Sequence, residues 1–143
     1  MSFAKIYTRG LLGLHAPLIE VEVHVSSGMP SLTIVGLPEA AVRESKDRVR
    51  SAILNSGFQF PTKRLTINLA PADLPKDGSR LDLPIALGIL VASGQLPENC
   101  TDDLEFIGEL ALDGQLRPVT GILSIAIACQ HDQHQLMLPG PNA

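Results

Sequence analysis

Residues 85–93 read IALGILVAS, a helical-length run with no polar face. A helix that is apolar all round must be buried or lie in a membrane, and this one is too short to span a bilayer. It therefore demands cover on every side. Asp82 precedes it at a capping position and Pro84 falls in its first turn, so a helix is expected over residues 83–93. The covering layers have to come from strands. Residues 18–27, LIEVEVHVSS, alternate Ile19, Val21, Val23 and Val25 against Glu20, Glu22 and His24, the period-two pattern of a sheet with one wet face. SLTIVGL follows a GMP turn and reads as a hairpin partner. RLTINLAP alternates again, with Leu65, Ile67 and Leu69 on one side.

Other local signals complete the pattern. A helix is expected over residues 38–56, with Pro38 and Glu39 in its first turn, Val42, Val49, Ala52 and Ile53 on one face, and Gly57 just past its end. LEFIGELALDGQLRPV reads as two strands about the Asp113-Gly114 turn. Thr120 is placed to cap a last helix, GILSIAIACQ, and QLMLP closes as a strand. Strands alternating with helices point to a single α/β domain over residues 1–143, with a mixed sheet and packed helices in two layers. Aromatics are only 3% of the chain, with no Trp, so the core has to be aliphatic.

Several chemistries find no support in the pattern. Cys100 and Cys129 have no metal-ligand spacing and are too few for a disulfide scaffold, which suits a reducing cytoplasmic setting. The N-terminus lacks a signal-peptide core, and no membrane association is expected. No Walker-type phosphate loop occurs, so the chain alone is not expected to bind ATP. His131 and His134 could share a helix face as metal ligands, but no further ligand clusters nearby, and a surface helix end accounts for them. Glu20 and Glu22 fit a solvated sheet face better than acid–base catalysis.

Charge is uneven. Residues 43–80 hold eight of the eleven basic residues against four acids, a local +4 in a chain of net −4. Arg43/Asp47 and Glu44/Arg48 have the i,i+4 spacing of surface pairs. Lys46 and Arg50, with Lys63 and Arg64, are left to touch phosphates, and a solvated helix face accounts for the same charges. With so few aromatics, a base-stacking platform is not expected, and any nucleic-acid contact would be electrostatic and sequence-blind.

The loop PKDGSR sets Ser79 just before the apolar helix, where a nucleophile would find backbone donors but would also need a base. No lysine follows Lys76. Three segments, GLPEAAVRESKDRVRSAILNSGF, NLAPADLPKDGSRLDLPIALGIL and FIGELALDGQLRPVTGIL, together resemble the N-terminal domain of magnesium-chelatase-like AAA+ ATPases of the ComM/YifB type. The resemblance implies a fold like the proteolytic domain of Lon, in the superfamily of ribosomal protein domain 2. Lon-type proteases carry a serine in a Lys-Asp-Gly-Pro-Ser-Ala-Gly turn and a lysine after a Pro-Ile-Gly-Gly-Leu stretch. Carried onto this chain, the nucleophile position matches Arg80 and the lysine position matches Leu123, so the resemblance implies no catalytic residue. Lys76, Asp77, Arg80 and Asp82 become a structural or interface loop. Asp82 is expected to cap its helix and Arg80 to reach solvent or a carboxylate. The resemblance further implies a longer parent whose downstream motor binds ATP and magnesium, forms a homo-oligomeric ring and acts on DNA in branch migration during natural transformation. Two alternatives are an accessory domain of a metal-chelatase motor and an active serine peptidase at Ser79.

Overall fold

The computed structural model describes residues 2–76 and 78–143. Six strands form one mixed sheet in the order β3-β4-β2-β1-β5-β8, from β1 (Ser2–Arg9), β2 (Leu18–Ser26), β3 (Ser31–Val35), β4 (Arg64–Ala70), β5 (Leu104–Phe106) and β8 (Gln135–Met137). The pair β6 (Glu109–Leu110) and β7 (Leu116–Arg117) forms a separate small hairpin. Helices α1 (Glu39–Asn55), α2 (Asp82–Ala92) and α3 (Ile122–His131) complete the fold. None of the helices is long and apolar enough to cross a membrane among the described residues.

The alternations place their residues as expected. Ile19, Val21, Val23 and Val25 are buried, and so are Leu65, Ile67 and Leu69. Helix α2 covers this face, with Ile85, Ala86, Ile89 and Leu90 in the same core. Its approach is close: a Cβ on Gly88 would stand 2.5 Å from Val23 Cγ2. Helix α1 then packs on α2. Gly57 follows α1 with φ +87°, a left-handed stop that glycine adopts without strain.

Three expectations change. Strand β3 is not the hairpin partner of β2. Strand β4 lies between them, antiparallel to β2 and parallel to β3, with Val23 and Ile34 both opposite Ile67. The connection β3-α1-β4 is thus a strand–helix–strand crossover, which yields a parallel pair. The segment read as one strand before the Asp113-Gly114 turn breaks at residues 107–108: β5 joins the main sheet beside β1, and β6 alone forms the hairpin. Helix α3 departs from the two-layer arrangement. Leu136 pairs with Glu105 and Glu105 with Tyr7, on the sheet face opposite Ile6, and Leu136 packs with the Ile107–Ile125 cluster of α3.

Candidate functional site

The loop after β4 runs through a short 3-10 turn, Ser79–Leu81, directly into α2. Lys76 Nζ donates to the carbonyls of Pro71 at 2.6 Å and Leu74 at 2.9 Å, and burial lowers its pKa from the ordinary lysine value. Asp77 lies outside the described residues. Ser79 is half-buried. Of the two ends expected for Arg80, solvent or a carboxylate, solvent is excluded: it is 5% exposed. Its Nη2 donates to the Thr120 carbonyl at 2.9 Å and to Thr120 Oγ1 at 3.0 Å, tying the loop to the turn before α3. Thr120 therefore is not the cap of α3. The chain enters that helix through Gly121 at φ +79°, where a Cβ would meet Leu11 Cδ1. Leu123, at the lysine position of the resemblance, is 74% exposed.

Asp82 is also not a cap. It is the first residue of α2, and its helix has no side-chain cap bond. The carboxylate is fully buried and accepts from Ser45 Oγ at 2.9 Å, Arg48 Nε at 2.6 Å and the Leu110 backbone N–H at 3.2 Å. One group thus joins α1, α2 and the small hairpin. Burial pushes the Asp82 carboxyl above its usual value, against the pull of Arg48, Ser45 and the Leu110 amide. The hydrogen bond to Asp82 raises the Arg48 pKa. Arg48 is committed inward, and its contact with Glu44 is a loose 3.9 Å. Arg43 and Asp47 form no ion pair among the described residues. Sequence reading missed Ser45, although it sits on the same helical stripe as Val42, Val49 and Ala52, where a small polar residue signals a buried partner.

Lys46, Arg50 and Lys63 come together. They line a groove of about 430 Å³ between α1, the segment entering β4 and the start of edge strand β3. Leu32, Leu54, Phe60, Pro30 and Pro61 line it too, with Asp47 as the one carboxylate among the described residues lining it. The Arg50 guanidinium lies 5.1 Å from the Phe60 ring centroid, a cation–π contact. Arg64, the fourth predicted residue, starts β4 in register with Ser26 and Ser31; it is exposed but does not line the groove.

A second polar cluster had no sequence signal. Arg9, 4% exposed, donates Nε to Glu105 Oε1 at 2.7 Å and Nη2 to Glu105 Oε2 at 2.9 Å; Glu105 is fully buried. Arg9 also donates to Asp132, which holds that carboxyl below the usual range. His134 Nδ1 is 2.7 Å from Glu105 Oε2, and its ring stacks on Tyr7. His131 instead is exposed at the end of α3, so the two histidines do not converge. No group of three or more His, Cys, Asp or Glu suited to a metal occurs among the described residues. Burial pushes the Cys129 thiol up to about 11. On the wet face of β2, Glu22 accepts from Asn68 and Glu20 stands 3.8 Å from Lys5.

Residues 21–142 match the model of a family described as subunit ChlI of Mg-chelatase. The chain is 52% identical over 143 residues to competence protein ComM of Haemophilus influenzae, covering 100% of this chain and 28% of that protein. It is 60% identical over 126 residues to the uncharacterized protein YifB of Escherichia coli, covering 88% and 25%. A Lon protease of Chloroflexus aurantiacus is 30% identical over 118 residues, covering 77% of this chain and 14% of its own length. The chain thus spans roughly a quarter of the ComM and YifB relatives it matches.

Proposed function

From the premise that the chain belongs to the magnesium-chelatase ChlI family, in company with ComM and YifB, we propose that it is a single non-catalytic Lon-like domain that holds DNA for a larger motor. The observation that carries the first half is Arg80. It stands where the Lon resemblance places the nucleophile, and its guanidinium is buried against Thr120. Leu123, at the lysine position, offers a methyl-tipped side chain to solvent and cannot accept a proton. The parent motor would bind ATP and magnesium, assemble as a cytoplasmic ring and act in branch migration during natural transformation. The family description, a subunit of Mg-chelatase, favours a second reading, an accessory domain of a metal-chelatase motor. The basic groove favours DNA.

A serine-reactive fluorophosphonate probe is expected not to label the chain, and casein is expected to stay intact. Labelling at Ser79, or cleavage abolished by Ser79→Ala, would overturn the non-catalytic reading. For the DNA half, duplex affinity is expected to fall steeply with salt, because binding releases counterions. Lys46→Glu with Lys63→Glu should weaken it further. Affinity indifferent to both would leave the groove a solvated face.

A further inference from the structure

Phosphate contact explains the cations of the groove but not its apolar lining. A duplex presents its phosphates on a convex surface and needs no floor of Leu32, Leu54, Pro61 and Phe60. The volume, about 430 Å³, is that of a pocket for a small molecule, enough for one or two nucleobases and too small for a double helix. Composition argued against a stacking platform, since the chain has four Phe, one Tyr and no Trp. Tertiary structure nevertheless brings Phe60 into the basic groove and lays the exposed Arg50 guanidinium over it. A planar cation held by a ring is a surface on which an unstacked base can lie, and Arg planes serve this role in single-strand recognition.

We propose that this groove binds single-stranded nucleic acid, with a base against the Arg50–Phe60 pair and the flanking phosphates at Lys46 and Lys63. The inference rests on the DNA reading above and deepens it. Asp47 adds one acceptor, suited to the amino edge of a base. An acidic peptide would use the cations but has no need of a flat platform beside them.

The test is fluorescence anisotropy with a labelled oligothymidylate of about 15 nucleotides and a duplex of equal length. The single strand is expected to bind more tightly. Arg50→Lys keeps the charge and removes the plane. It should weaken single-strand binding by about fivefold, clearly more than it weakens duplex binding, and leave the melting temperature unchanged. Phe60→Leu, which keeps the apolar packing, should act in the same direction. If both substitutions are silent while Lys46→Glu with Lys63→Glu weakens single strand and duplex alike, the stacking site is wrong and the DNA reading stands. If charge reversal is also silent, both fail. Displacement of the oligonucleotide by polyglutamate at lower concentration than by unlabelled oligothymidylate would assign the groove to an acidic protein segment instead.

Discussion

Asp82→Ala is expected to destabilise the chain by about 3 kcal/mol and lower its melting temperature by about 10 °C. The size of the loss separates two roles. A helix cap is worth about 0.5–2 kcal/mol, and its loss leaves backbone donors that water can reach. Here the carboxylate is fully buried, and its removal strands three donors at once: the Ser45 hydroxyl, the Leu110 amide and the Arg48 guanidinium. Breaking a buried ion pair by deleting one member costs about 3–5 kcal/mol because the other charge stays behind unpaired. The lower end applies, since the Arg48 side chain is 22% exposed and water will solvate it in part. Asp82→Asn retains an acceptor for Ser45 or Leu110 and should fall between wild type and alanine. Urea denaturation of the three proteins decides the matter. A loss below about 1 kcal/mol for Asp82→Ala would return this residue to the role of an ordinary cap.

Glu105→Ala should cost about 3 kcal/mol, the lower end of the same range, because the buried Arg9 loses both bonds to Glu105 but keeps Asp132 and the Ala16 carbonyl as partners. The side chains of Glu105 and Arg9 are 0% and 5% exposed, and their two bonds are 2.7 and 2.9 Å long. The substitution also removes the acceptor of His134, so β1, β5 and the start of β8 lose their shared anchor. A buried pair need not be better than apolar contacts of similar volume. Arg9→Met combined with Glu105→Leu is therefore expected to be more stable than Glu105→Ala alone. Chemical denaturation of both variants checks this. A double variant that is the less stable of the two would show that the pair contributes more than it loses by desolvation.

The all-apolar run of α2 dictated a buried helix, and the period-two runs of β2 and β4 dictated which of their faces it would cover. Gly57 set where α1 stops, and the Asp113-Gly114 turn set a hairpin. These features are local: each depends on a few neighbouring side chains and on backbone sterics. Which strand pairs with which is not local. The alternation in β2 and β3 is equally compatible with a hairpin and with the insertion of β4 between them, and only the crossover through α1 selected the latter. The same holds for the site. Asp82 looks like a cap in sequence because capping needs only the next three residues, yet its partners lie 37, 34 and 28 positions away. Arg9 and Glu105, separated by 96 residues, carry no sequence sign of one another. The cations Lys46, Arg50 and Lys63 were legible as charge, whereas the Phe60 ring beneath Arg50 was not. A charge announces itself in composition, because few charges are ever buried; the surface it rests on is made by residues that only packing brings beneath it.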